Sequence, residues 1–279
     1  MKNKTALITG GTEGVGLSIV RALAKANYNV YFIGRNTEKG AQIESELKEQ
    51  FDAEFGFIEL DLSDLVAVKQ CTQDFLTQHE QLDLLANVAG VILSQREETR
   101  YGLEKTFSVG FLSAYILATE LSPLLEKSQN PRILFVSGSA SIVLKKKLDF
   151  NNLNLWENYN GFRAAANTVH AKTVLAEILS EKYLNYGIDV NAFHPGVVKS
   201  QLGRGMAWPL NVITKGVSNL LPRDTKTGIN ACLSDTLNGV TGQFLYGNKR
   251  LPLNFDKQYK ERLWQETETL VNEALSFEG

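Results

Sequence analysis

The chain is poor in cysteine: Cys71 and Cys232 are the only two in 279 residues, and no CxxC pair occurs. That excludes a disulfide-stapled fold and a zinc knuckle, and two isolated thiols read as reduced, buried small hydrophobes. Proline is scarce too, 6 residues against 22 glycines, a balance that suits tight strand-to-helix turns. There is no excess of charge of either sign: 29 Lys+Arg against 31 Asp+Glu leaves −2. Without a basic surplus to neutralise a phosphate backbone, nucleic acid is not an expected partner. No uncharged apolar run reaches the ~18 residues needed to cross a bilayer, so no membrane partner is expected either. Met1–Lys4 runs straight into an apolar strand pattern, leaving no room for a signal or transit peptide, and the expected location is cytoplasmic. A hydrophobic content of 43% with 22% charged residues is that of an ordinary globular chain, not a disordered one.

What is present is a regular alternation. Thr5–Thr9 reads as a strand, followed by a helix over Val15–Ala26 with Val15, Ile19 and Leu23 at i, i+4, i+8. Strands are predicted at Asn29–Ile33, Phe55–Leu60, Leu82–Ala86, Arg132–Val136, Ile188–Phe193 and Gly242–Leu245. Between and after them lie a charged helix Glu38–Phe51, a helix after Phe55–Leu60 that Ser63 can cap, a long apolar helix Thr106–Lys127, a helix Ala164–Tyr186 and an amphipathic helix Lys257–Leu275. Strands alternating with helices of this length indicate βαβ units: an α/β chain with one doubly wound parallel sheet of about seven strands, helices on both faces. No repeat, linker or composition shift marks a second domain, so residues 1–279 read as one domain.

Thr9-Gly10-Gly11-Thr12-Glu13-Gly14-Val15-Gly16 lies between the first strand and the first helix. Glycines there permit positive φ and let backbone N–H groups approach a pyrophosphate where the helix dipole favours negative charge. The bland alternative is a tight turn and nothing more. Directly after an initial strand, the placement favours a dinucleotide. At the end of the second strand, Ile33-Gly34-Arg35-Asn36 carries no acidic residue to bind ribose hydroxyls. Arg35 instead offers a guanidinium suited to a 2′-phosphate, which favours NADP(H) over NAD(H).

The TGxxxGxG spacing resembles the short-chain dehydrogenase/reductase family, and the likeness runs the length of the chain. Asp61-Leu62 matches the family's adenine-binding position, Asn87-Val88-Ala89-Gly90 its NNAG motif with Val for the second Asn, and His194-Pro195-Gly196-Val197-Val198 its PG turn beside the nicotinamide. Tyr101-Gly102-Leu103-Glu104, Tyr159-Asn160-Gly161-Phe162, Gly242-Gln243-Phe244-Leu245 and Glu261-Arg262-Leu263-Trp264 resemble the retinol-dehydrogenase-like branch. The resemblance implies a Rossmann-type fold and a dinucleotide held by Gly10, Thr12, Glu13, Gly14, Val15, Gly16, Arg35, Asn36, Asp61, Leu62, Asn87, Ala89, Gly90, Lys172, Pro195, Gly196 and Val198.

It also exposes departures. The family transfers hydride and protonates the resulting alkoxide from a Tyr whose pKa is lowered by a Lys one helical turn on. Counting back from the HPG turn gives Lys172 as that Lys, and four residues before it stands Thr168, whose hydroxyl is shorter and far less acidic. The family's Ser aligns with Gly138, with Ser139 next to it as a substitute, and the family's Asn with Gly110. Lys172, Ser139 and Thr168 are therefore the candidate catalytic residues of a degenerate tetrad. His170, about 200° round the helix from Lys172, reads as packing.

Residues 201–222 hold Leu202, Met206, Trp208, Leu210, Ile213 and Leu221 among other apolar residues, and in the family this stretch closes over substrate. A small lipophilic molecule is the expected partner, with core packing the alternative. The apolar helix Thr106–Lys127 serves either a homodimer interface or the core. Two function classes follow. One is an NADP(H)-dependent oxidoreductase acting on a lipophilic carbonyl, alcohol or activated double bond with an atypical active site. The other is a cofactor-binding protein without redox turnover, or with its pocket repurposed for non-redox chemistry.

Overall fold

The computed structural model describes residues 3–196 and 224–277. Eight strands form one sheet in the order β3-β2-β1-β4-β5-β6-β7-β8: β1 Thr5–Thr9, β2 Asn29–Gly34, β3 Phe55–Glu59, β4 Leu84–Asn87, β5 Arg132–Val136, β6 Asp189–Phe193, β7 Gln243–Tyr246 and β8 Lys249–Pro252. Pairing is parallel up to β7 and antiparallel between β7 and β8. The α/β doubly wound fold is as the alternation implied, with one strand more. β8 escapes the sequence because Lys249-Arg250-Leu251-Pro252 is charged and ends in proline, which is how an edge strand resists further pairing. A two-residue turn at Gly247-Asn248 joins it to β7, with Gly247 at φ +58°.

The sheet is covered on both faces, and the strand period divides the core. In β1, Leu7 joins one cluster with Ile33, Leu85, Ile133 and Phe135. Its neighbours Ala6 and Ile8 join the other with Val30, Phe32, Ala86 and Leu134. The first cluster lies under α3 Leu65–Gln78, α4 Ser113–Glu120, α5 Gly161–Lys182 and α7 Lys257–Leu275. The second lies under α1 Gly14–Lys25, α2 Thr37–Gln50 and α6 Lys226–Leu233.

Local chemistry corrects several predicted boundaries. Asp64, not Ser63, caps α3 by accepting from Ala67 N–H at 3.1 Å, while Ser63 bonds Asp61. α5 begins a turn before Ala164 because Asn160 caps it, accepting from the N–H groups of Phe162 and Arg163. The long apolar helix Thr106–Lys127 is interrupted. Lys105–Phe107 passes into a π-helical turn Ser108–Leu112, and after α4 a new helical turn Ser122–Leu125 starts with Pro123 near its N-terminus. Its apolar residues Phe111, Ile116, Leu117 and Leu121 are buried within the chain, in the core under α3 and α7. Among the described residues no helix is long and apolar enough to cross a membrane.

Candidate active site at the carboxyl ends of the strands

From β1 the chain runs through β2 to β3 on one side, and β4 lies on the other side of β1. A crevice opens at that switch point, outside the carboxyl ends of the strands. Here it is a cleft of about 500 Å³ lined by the β1–α1 turn, the ends of β2 to β6 and one face of α5.

The glycine turn forms its floor. Gly10 and Gly14 hold φ of +68° and +51°, and a Cβ on Gly16 would lie 2.1 Å from the Gly10 carbonyl oxygen. Thr9 Oγ1 accepts from the N–H groups of Val88 and Ala89, both at 3.0 Å, tying this turn to the loop after β4. Side chains cap α2, α3, α5, α6 and α7, through Asn36, Asp64, Asn160, Thr225 and Asp256. No side chain caps α1. Its first-turn N–H groups open into the cleft, where an anion would satisfy them.

At one end stand Arg35, Asn36, Lys39, Asp61 and Leu62. Arg35 is exposed and meets no carboxylate among the described residues, whereas Lys39 pairs with Glu13 at 3.3 Å. Asn36 Oδ1 is engaged in capping, accepting from Lys39 N–H at 2.8 Å. Asp61 Oδ1 accepts from Ser63 N–H and Oγ–H. Lys39 was not among the residues picked from sequence. Its signal is position, one turn into a helix whose cap follows Arg35.

At the other end the wall of α5 consists of Ala165, Thr168, Val169 and Lys172, spaced i, i+3, i+4, i+7. Thr168 is buried and its hydroxyl donates back to the Ala164 carbonyl at 2.9 Å. Its Cγ2 sits 2.4 Å from where a Cβ on Gly110 would be, so the methyl fills space that glycine leaves in the π-helical turn. Lys172 is buried, and Nζ donates to the Ala89 carbonyl at 3.4 Å. Burial without a charge partner lowers its pKa to about 7. No tyrosine lines the cleft among the described residues. Tyr159 donates to the Leu93 carbonyl at 3.2 Å.

Of the predicted residues, Gly10, Thr12, Glu13, Gly14, Val15, Gly16, Arg35, Asn36, Asp61, Leu62, Ala89, Gly90, Thr168, Lys172, Pro195 and Gly196 are brought together in this cleft. Val198 and the 201–222 segment lie outside the described residues. Ser139 is not brought in: its Oγ faces Ser141 Oγ at 2.9 Å, because the chain turns into the short helix Ala140–Val143 at this point. The serine lining the cleft is Ser137, with Oγ 2.6 Å from Thr173 Oγ1. Asn87 lies behind the lining, buried, with both amide atoms lacking partners. His170 packs in the core. Its Nδ1 lies 2.6 Å from the Val143 carbonyl and its Nε2 2.7 Å from the Tyr259 hydroxyl. Lining residues Val91, Ile92, Thr106 and Val109 carry no motif and were also missed in sequence.

The family model for short chain dehydrogenases matches residues 4–207. The chain is 30% identical to polyprenol dehydrogenase of Danio rerio, over 96% of this chain and 86% of that protein. It is 26% identical to retinol dehydrogenase 14 of Mus musculus, over 97% and 86%. Among solved structures, the short chain dehydrogenase from Shigella flexneri superposes with TM-score 0.69 at 18% identity, covering 91% of this chain and 95% of that one. A blue fluorescent protein from a metagenomic library, in complex with NADPH, gives 0.66 at 20%, covering 88% and 96%. At such identities the superpositions establish the fold alone. With its switch-point cleft, its glycine turn and a family match over more than half its length, the chain belongs to the short chain dehydrogenase family.

Proposed function

We propose that the protein is an NADP(H)-dependent oxidoreductase acting on a lipophilic alcohol and its carbonyl counterpart. One observation carries this reading: a single cleft with the glycine turn and the charged side chains Glu13, Arg35, Lys39 and Asp61 at one end, and at the other Val91, Ile92, Val109 and Val169 around Thr168, Ser137 and Lys172. The residues present fit a nicotinamide dinucleotide. The turn is held tight by positive φ at Gly10 and Gly14 and by the absence of a Cβ at Gly16, and α1 offers N–H groups without a side-chain cap to a pyrophosphate. Arg35 and Lys39 would hold a 2′-phosphate, Asp61 and Leu62 the adenine, Lys172 the ribose hydroxyls, and Pro195 and Gly196 the nicotinamide edge. The bound nicotinamide supplies or accepts a hydride. The chain's own part is to exclude water with Val91, Ile92, Val109 and Val169 and to hold the substrate oxygen near Thr168, Ser137 and Lys172.

The relatives' names, polyprenol and retinol dehydrogenases, point to isoprenoid alcohols or their aldehydes as the substrate class. A second reading, dinucleotide binding without turnover, is favoured by the lack of tyrosine among the described lining residues. Calorimetric titration with NADPH and NADH, beside an NADPH-oxidation assay on a panel of apolar aldehydes, separates the two. Tighter NADPH binding with turnover of apolar aldehydes supports the first. Binding without turnover of any carbonyl supports the second.

A further inference from the structure

The ionisable groups of the cleft are unevenly distributed. Glu13, Arg35, Lys39 and Asp61 all lie at the dinucleotide end, around the start of α1, the ends of β2 and β3 and the first turn of α2. At the other end, among the described residues, only Lys172 carries an ionisable atom. Ala89 after β4, Val109 in the π-helical turn, Ser137 after β5 and Pro195-Gly196 after β6 complete that end, and none of them is charged. His194, next along β6, accepts from Gly196 N–H through Nδ1 and has its ring against Tyr246.

The face of α5 explains why the lysine stands alone. One turn before it, Thr168 directs its hydroxyl hydrogen to the backbone of its own helix and its methyl towards Gly110. Neither group is an acid that could protonate an alkoxide. The Lys172 ammonium has three donors and, among the described residues, one acceptor, Ala89 O at a long 3.4 Å, so two of its N–H groups meet no described protein acceptor. An ammonium buried without a charge partner is costly, which favours release of its proton.

We propose that Lys172 is itself the proton donor of the reaction, protonating the oxygen of the carbonyl being reduced and taking that proton back in alcohol oxidation. The proposal rests on the oxidoreductase reading above and adds the identity of the acid. In reduction, the carbonyl carbon gains a hydride from the reduced nicotinamide as the C=O π bond breaks, and the oxygen gains a proton as an N–H bond of Lys172 breaks. The carbonyl is reduced and the nicotinamide oxidised. The neutral amine then recovers a proton from water. With its pKa held near 7 by burial, both forms of Lys172 are populated at neutral pH, the condition under which one group serves both directions.

The test uses the full-length protein and Lys172→Arg, which keeps a cation for ribose hydroxyls but has no proton to transfer at these pH values. Lys172→Met serves as a second variant should the larger guanidinium disturb the fold. Without cofactor, nitrogen-15 NMR of the lysine amines is expected to show one resonance titrating near pH 7 that both variants lack. With NADPH and an apolar aldehyde, kcat/KM of the unmutated protein is expected to fall tenfold per pH unit above that value. Lys172→Arg should bind NADPH within a few-fold, lose about 10²–10⁴ in rate and show no such limb. An amine titrating only above pH 9, a limb surviving in Lys172→Arg, or a limb removed instead by Tyr159→Phe would each overturn the proposal and leave the oxidoreductase reading standing. NADPH binding with no carbonyl turnover by the unmutated protein would overturn both.

Discussion

Single atoms decide much at this site. The Thr168 methyl and the missing Cβ of Gly110 are two halves of one packing solution. Gly110→Ala should therefore destabilise by about 1–3 kcal/mol in denaturant unfolding, as overpacking does. Thr168→Ser, which deletes the methyl, should recover most of that loss, giving a clearly non-additive double-mutant cycle. Additive effects would mean that the two residues do not share the space. Gly138 is tighter than its sequence neighbourhood suggests. A Cβ there would stand 3.1 Å from Val169 Cγ2 and 3.2 Å from Val143 Cγ1, so Gly138→Ser fits only if those valines yield by a few tenths of an ångström. Arg35, exposed and without a carboxylate partner among the described residues, is the proposed selector of cofactor. Arg35→Asp is expected to weaken NADPH by tenfold or more in calorimetry and to leave NADH equal or better, because a carboxylate repels a 2′-phosphate and accepts from ribose hydroxyls.

At the scale of elements, the helix ends divide the labour. Among the described residues five helices begin at their own side-chain caps, α4 continues from the π-helical turn before it, and α1 begins uncapped at the cleft, so its first-turn donors remain for a ligand. Gly16→Ala drives a methyl against the Gly10 carbonyl and must shift that turn. It should abolish NADPH binding while circular dichroism still reports the α/β fold. A hydrogen-bonded chain joins α7 through α5 to the segment Val143–Leu148. Tyr259 Oη accepts from Leu148 N–H at 2.9 Å and donates to His170 Nε2, whose other nitrogen donates to Val143 O. Tyr259→Phe leaves a buried N–H and a buried ring nitrogen unpaired, a loss of about 1–3 kcal/mol readable as a lower unfolding midpoint.

For the whole molecule, the buried bases set the response to pH. Burial lowers the pKa of all three histidines, His79, His170 and His194, and that of Lys172. The unfolded chain binds more protons than the folded one between each folded pKa and its unfolded value, so stability rises with pH through those windows. For the histidines the window lies below about 6.5, and for Lys172 it runs from about 7 up to about 10.5. The melting temperature should accordingly fall between pH 7.5 and 5.5. Lys172→Met, which removes a buried ammonium, should melt higher than the unmutated protein at pH 6, with the gain shrinking as the pH approaches 10. A melting temperature that rises on acidification would contradict this assignment of buried bases.

The sequence alone determined what repeats or what is fixed by local stereochemistry. The alternation of short apolar runs with helical stripes specified a parallel sheet covered on both faces, since only such a sheet buries all of Thr5–Thr9. The glycine turn, Arg35 and the HPG segment stood on the right elements because they serve backbone geometry and charge at strand ends. The edge strand β8 and the break in the helix from Thr106 stayed hidden, one because its charges mask its pairing, the other because apolar content outweighed Pro123 and Gly110. Only the tertiary structure decided which residues meet across the cleft. It turned Ser139 away and Ser137 inward, brought Lys39 beside Glu13, and left both amide atoms of Asn87 without partners behind the lining. It also set the Thr168 methyl against Gly110 and buried Lys172 without a charge to pair with. Those outcomes depend on contacts between residues tens of positions apart, whose distance and burial no local pattern encodes.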